Sequence, residues 1–391
     1  MQEVKEIMIQ LRYRARDFQR TIQMVAIFVF VLILLYFFNA LPIYSLSGPT
    51  PTLPVSVETC HAWEPSHLIR QKQCKYNSRY PFSDPLTDNV GVRFKIGAIA
   101  DLDEERSKVA GEKYKWKSYF KTGYLSKFKG NTYKVEWISQ ITLTSRLNEK
   151  GRGLELSELC AFNGKLYTVD DRTGVVYQIK NGKVIPWVIL MDGDGSTTKG
   201  FKCEWMTVKD GALFIGGLGK EWTTKEGNFI NYHPLFVKSI DQYGGVVHHN
   251  WTENYLKIRA KVGIYFPGYM IHEAVMWSSI KKRWFFLPRR MSKQKYDDVV
   301  DENRGTNVLI SCRADFTNLK VVYVGDLVQT HGFSSFKFVP GTNDDVALAL
   351  KTKEVEGNIQ SYIIVFNVNT GDVLMSEQFV ANEKFEGVEF I

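Results

Sequence analysis

The feature that most constrains this chain is a strand–turn–strand unit that recurs along it. Its clearest copy runs from Gly153 to Gly174, GLELSELCAFNGKLYTVDDRTG. Leu156 to Phe162 is short and mostly apolar. Asn163-Gly164 follows, a two-residue hairpin signal because both residues tolerate positive φ. Lys165 to Val169 returns, and Asp170-Asp171-Arg172-Thr173-Gly174 closes with turn chemistry and charge. A second copy reads Lys202 to Val208, then Lys209-Asp210-Gly211, then Ala212 to Gly217. Looser copies open at Ile271 to Trp277 and at Gly332 to Phe338. A last opener, Phe385 to Ile391, has nothing after it. Ser157, Glu204, Glu273, Ser334 and Glu386 take matching places in the five openers. They fall roughly 50 to 70 residues apart, the length of a propeller blade.

The stretch from 92 to 147 holds three strand-like runs with no opener before them: Val92 to Ala100, Tyr114 to Leu125, and Thr132 to Ile138. An opener without strands at one end and strands without an opener at the other complete each other. The chain is therefore expected to fold as an all-β five-bladed propeller with four-stranded blades. Its closing blade combines both ends, which removes the sheet edges an open β structure must protect. An aromatic content of 14% with 12 prolines in 391 residues suits such a packed β domain. The net charge of +8 comes without a dense basic tract, which argues against nucleic acid as a partner.

The propeller is expected to occupy residues 92–391. Ahead of it, residues 1–23 form a basic tail carrying Arg12, Arg14, Arg16 and Arg20, and residues 24–41 form an apolar run. With its flanks this run approaches the length of about 20 residues that spans a bilayer. The charge asymmetry puts the tail in the cytosol and everything beyond in the lumen. A cleaved signal peptide is the alternative, but the run is long and an Ala-x-Ala site is missing. Residues 42–91 are expected to be a proline-containing stem, with Cys60 and Cys74 able to pair in an oxidising lumen. Cleavage in the stem would give a secreted form. Cys160, Cys203 and Cys312 lie in strand patterns as buried thiols. Asn250-Trp251-Thr252 is a glycosylation sequon expected in a polar loop.

If the first strand of each blade lines the central channel, Ser157, Glu204, Glu273, Ser334 and Glu386 converge on one axis. Facing carboxylates repel and are not left desolvated without a counter-charge. An all-oxygen ring with high coordination number suits Ca²⁺ rather than zinc or Mg²⁺. Glu158, beside Ser157, is a further candidate ligand. Gly216-Gly217-Leu218-Gly219-Lys220 lacks Walker spacing, and His272-Glu273 lacks the second histidine of a zincin. Acidic and basic residues instead share turns, at Asp101 to Glu105, Asp170 to Arg172, Lys220 to Trp222, and Arg289-Arg290. At one mouth of a channel such pairs suit phosphoryl chemistry.

Five stretches carry a resemblance: Lys150 to Ser157, Val169 to Ile179, GGLGKEWT at 216–223, RWFFLPRR at 283–290 and THGFSSFKF at 330–338. From about residue 92 onward the chain is similar to the calcium-activated nucleotidases of the bed-bug salivary apyrase family. That resemblance implies a five-bladed propeller with Ca²⁺ in the channel. It implies hydrolysis of diphosphates such as UDP and GDP to nucleoside monophosphate and phosphate in the endoplasmic reticulum and Golgi, supporting glycosylation and proteoglycan synthesis by removing UDP. It also implies homodimers in some members. Ser157, Glu204, Glu273, Ser334 and Glu386 resemble its calcium positions, with Glu158 standing where a near relative has Asp. Asp101, Asp171 and Glu204 resemble its acidic catalytic positions, and Asp101 is expected at the channel mouth. Arg152, Arg172, Lys220, Trp222 and Arg289 are the candidate substrate contacts. Two other readings compete. One is a Golgi glycosyltransferase using Asp101-Leu102-Asp103 as its metal motif; the other is a non-catalytic propeller that binds a partner.

Overall fold

Each opener becomes the innermost strand of a blade, because its apolar residues pack on both faces while its neighbours step outward in antiparallel pairs. The computed structural model describes residues 75–391, and among these the strands form five four-stranded blades around one axis. The inner strands are Leu156–Phe162, Trp205–Lys209, Tyr269–Ser278, His331–Phe338 and Lys384–Phe390. Blades 1 to 4 start from the first four of these in chain order. Asn163 and Gly164 turn at φ 48° and 68° between the paired Phe162 and Lys165. Asp210 and Gly211 do the same at 50° and 77° between Lys209 and Ala212. In both hairpins the positive φ is what the two-residue turn needs.

Blade 5 closes the ring as expected. Lys384–Phe390 pairs antiparallel with Gly91–Asp101, Gly97 opposite Glu389, and Trp116–Phe128 and Tyr133–Ser145 follow outward. No parallel strand–helix–strand unit occurs among the described residues, so nothing there supports the glycosyltransferase reading. Apolar clusters fill the wedges between blades. Trp205, Trp251, Tyr255, Trp284 and Phe286 pack between blades 2 and 3, and Ile96, Leu348, Leu350, Val388 and Phe390 between blades 4 and 5. Gly216 faces the Trp205 indole so closely that a Cβ would lie 2.1 Å from it. The glycines that looked phosphate-like thus serve packing.

The segment just before Gly91, read as stem, is built into the propeller from Lys75 on. The Tyr80 hydroxyl donates to Glu389 at 2.8 Å, the Phe82 N–H to the Phe390 carbonyl at 3.2 Å, and Leu86–Thr87 adds a short strand beside Gly91–Asp101. Asn77 rests on the Asn163-Gly164 turn, whose Asn163 Oδ1 accepts the Asn77 N–H at 2.8 Å. Cys160, Cys203 and Cys312 are buried free thiols. Asn250 lies not in a loop but at the exposed end of the outer strand Val246–Asn250 of blade 2, with helix Thr252–Ala260 starting two residues on. The tail, the apolar run and the Cys60–Cys74 pair lie outside the described residues. Among the described residues no helix is long and apolar enough to cross a membrane.

Candidate active site

Four of the five matching positions are β-bulges. Along the inner strands, Ser157 sits between the paired residues Leu156 and Glu158, Glu273 between His272 and Ala274, and Ser334 between Phe333 and Ser335. On the closing strand Glu386 sits between Phe385 and Gly387, which face the consecutive Ala100 and Ile99. Each extra residue drops out of the ladder, and a bulge of this kind re-aims its side chain. Glu204, the fifth, immediately precedes strand Trp205–Lys209.

Four of these residues are linked, directly, through a neighbouring carbonyl or through Arg289, while Glu204 lies with Lys202. Ser157 Oγ lies 3.4 Å from Glu386 Oε2, and Ser334 Oγ donates to the Phe385 carbonyl at 3.2 Å. Arg289 Nη1 bridges Glu273 and Glu386, 2.9 Å from the latter, while Nη2 pairs with Glu354. Arg289 is itself an unpaired extra residue on its strand, separated from the Glu273 bulge by the His272–Pro288 pair. Lys202 joins Asp171 and Glu204, the latter at 2.8 Å. Lys384 reaches Asp101 at 2.7 Å, Asp103 at 3.2 Å, and Glu354 and Glu386 at 3.4 Å. Asp101, Asp103 and Glu155 bring carboxylate oxygens within 4.8 Å of one another at one side of this web.

The web is short of positive charge. Burial pushes the Glu204 carboxyl up to about 8; Lys202 opposes this, while Glu273 and Asp171 add to it. Burial likewise holds the Glu386 carboxyl well above its usual range, against the pull of Lys384. Glu354 goes the other way: burial is outweighed by Lys384 and Arg289, and its carboxyl falls to about 2. Asp171 Oδ1 is buried and accepts no hydrogen bond, and the buried Glu204 Oε1 has only the Lys202 ammonium beside it, at 2.8 Å. Buried carboxylates that outnumber their cations, in an all-oxygen set, are what a hard divalent cation would satisfy. The donor set therefore fits such an ion.

The ring opens into a cleft of about 560 Å³ lined by Asp171, Glu204, Glu273, Glu386, Lys220, Trp222 and Arg289 among the expected residues. Arg290, read in the sequence beside Arg289, lines it too, as do Lys202, Lys384, Glu354, Tyr296 and Asp301, which the site reading of the sequence missed. Two carried a signal: Lys202-x-Glu204 and Lys384-x-Glu386 repeat the same offset within their openers. Glu354, at the far end of Val346–Val355, carried none. Asp101 is not at the mouth but buried beneath Lys384. Burial raises its carboxyl, yet Lys384 and the Asp103 N–H outweigh this and hold it below the ordinary range.

The remaining expected residues are placed off the cleft. Arg152 is held by Glu155 and by Glu104 at 2.8 Å, in a separate acidic depression. Arg172 stands in the turn after Asp170, its backbone N–H on Asp170 Oδ1 at 3.0 Å. Glu158 pairs with Lys337 at 3.2 Å and accepts from Ser335 and the Leu159 N–H, both at 2.8 Å. His272 is a core residue against Tyr255 and Phe286.

Residues 102–391 match the family model of the apyrases. The chain is 48% identical over 346 residues to soluble calcium-activated nucleotidase 1 of Mus musculus, covering 88% of this chain and 84% of that protein. It is 45% identical over 319 residues to an apyrase of Cimex lectularius, covering 81% and 87%. It is 44% identical over 309 residues to apyrase apy-1 of Caenorhabditis elegans, covering 78% and 86%.

Proposed function

This chain belongs to the apyrase family, and on that premise we propose that it is a Ca²⁺-dependent nucleoside diphosphatase, cleaving UDP- and GDP-type substrates to monophosphate and phosphate. The observation that carries this reading is the ring of oxygen-bearing residues, four of them bulged, opening into a cleft where carboxylates and lysine and arginine side chains face one another. Ser157, Glu204, Glu273, Ser334 and Glu386 would hold the ion, which when bound neutralises their charge and polarises a phosphate oxygen. Arg289, Lys202 and Lys384 face the same cleft and would hold the terminal phosphate. Trp222 and Tyr296 offer rings to the nucleoside. Of the expected bases, Glu204 is the better placed. It lines the cleft, whereas Asp101 is buried beneath Lys384. The water oxygen bonds to the terminal phosphorus as the bridging P–O bond breaks, and Glu204 takes the water's proton. Asp101, held ionised under Lys384, orients that lysine.

The Arg-rich tail and apolar run support a type II anchor in the endoplasmic reticulum or Golgi, with the propeller lumenal and removing UDP left by glycosylation. The deciding assay is phosphate release from UDP with Ca²⁺, with Mg²⁺ and with chelator. Release should titrate with Ca²⁺ at about 10⁻⁴–10⁻³ M or somewhat below, as in other lumenal and extracellular calcium modules. No release, or equal rates in the two metals, would overturn this function.

A further inference from the structure

One wall of the cleft is held from outside it. After strand Ala212–Gly216 the chain runs through Lys220 and Glu221 into the ribbon Trp222–Thr223 with Phe229–Asn231. Successive side chains here face opposite ways: Lys220 lines the cleft, and Glu221 lines an aromatic groove on the other side. Lys220 Nζ donates to the Glu221 carbonyl at 3.0 Å and to Thr223 Oγ1 at 3.1 Å, and sits 4.4 Å from the centre of the Tyr296 ring. The Glu221 carboxylate is gripped from behind by Arg259 of helix Thr252–Ala260, Nη1 to Oε2 and Nη2 to Oε1, both 2.7 Å. All three charged side chains are buried.

We propose that Arg259 is a positioning residue for substrate binding: its two-bond fork holds the Glu221 carboxylate on the far side of the segment and so leaves the Lys220 ammonium free to meet a phosphate in the cleft. The inference rests on the reading that the cleft takes a nucleoside diphosphate. The physical reason is the cost of a buried carboxylate with no partner. Released from Arg259, Glu221 has a cation one residue away. Turning towards it cancels the charge offered to the substrate. Lysine at 259 would supply a charge but not the planar fork.

The test uses the full chain at saturating Ca²⁺ with UDP as substrate, and compares Arg259→Met, Arg259→Lys and the double variant Arg259→Met with Glu221→Met. Arg259→Met should raise KM roughly tenfold or more, the worth of one charge-assisted hydrogen bond, with kcat little changed. Arg259→Lys should fall between it and the wild type. The double variant, with no carboxylate to capture Lys220, should recover most of the lost affinity.

The Lys220 titration gives a readout that a merely structural role would not move. Burial lowers the ammonium to about 8, with Asp301 and Glu221 opposing; Lys202, Lys225, Arg290, Tyr296, Asp298 and Glu302 are the other charged and titratable groups of the cleft around it, with Arg259 behind Glu221. Freed Glu221 favours the charged form, so the Lys220 transition should move to higher pH in Arg259→Met and not in the double variant. NMR of the full chain labelled at the lysine ε-carbons reads this without turnover, so the inference stays testable if UDP proves not to be a substrate. Absent turnover in wild type would overturn the diphosphatase reading alone. An unmoved Lys220 transition, or a double variant as weak in KM as Arg259→Met, would overturn the role given to Arg259.

Discussion

Gly387 on the closing strand shows how tightly ring closure is tied to the site. It lies against the inner strand of blade 1, where a Cβ would stand 2.5 Å from the Leu159 nitrogen, 2.6 Å from the Glu158 carbonyl carbon and 2.7 Å from Glu158 Cα. It does not use a positive φ, so an alanine there is opposed by contact alone. Carbon contacts settle at about 3.5–4.0 Å, so Gly387→Ala must push the two inner strands apart by on the order of 1 Å. Both neighbours are backbone, and no side chain can swing away. Overpacking of this kind costs about 1–3 kcal/mol, or a fall in Tm of roughly 2–12 °C at a few degrees per kcal/mol. The displaced strands carry Ser157 and Glu386, whose side chains are 3.4 Å apart. The Ca²⁺ concentration for half-maximal phosphate release should therefore rise with the loss of stability. Excess Ca²⁺ should recover part of both, since an ion binding the native state stabilises it by mass action. The assay is a thermal melt together with phosphate release, each across a Ca²⁺ series. A variant that matches wild type in both would refute the claim that contact between these strands sets the ring.

Glu386→Gln keeps the shape but removes one ring charge, so it should weaken Ca²⁺ activation and recover activity in excess Ca²⁺. Asp101→Asn should not recover. It removes one of the four carboxylates around Lys384, leaving Asp103, Glu354 and Glu386; a hydrogen bond to a charged group is worth about 1.5–3 kcal/mol, so melting and kcat should fall together. Recovery of Asp101→Asn by Ca²⁺, with Glu386→Gln unresponsive, would reverse the two roles. In the pH profile, the ammonium of Lys220 is lost as pH rises through about 8, so kcat/KM for UDP should decline above that value. Lys220→Arg keeps its charge to much higher pH and should extend the plateau; the same alkaline decline in that variant would remove Lys220 from substrate binding.

By itself, the sequence determined the architecture. Hairpin signals such as Asn163-Gly164, apolar openers at blade-length spacing, and complementary deficits at the two ends are local or countable features, and each specifies backbone geometry wherever it occurs. It also singled out one residue of each opener, because oxygen-bearing side chains recur at one place. What only the tertiary structure decided is where those side chains point and what they meet. A strand alternates its faces with period two, and one bulge reverses that parity. No pattern announced bulges at Ser157, Glu273, Ser334 and Glu386, nor that Glu158 would turn to Lys337. Arg152 and Arg172 looked like phosphate contacts because they are basic and near acidic turns, yet Arg152 is satisfied by Glu104 and Glu155 and neither residue lines the cleft. Arg289, Lys384 and Glu354 form one web although they come from three different blades, with Lys384 and Glu354 meeting across a blade boundary. Their attraction falls off over a few ångströms while their separation along the chain runs to many tens of residues. Only the closed ring brings them within reach.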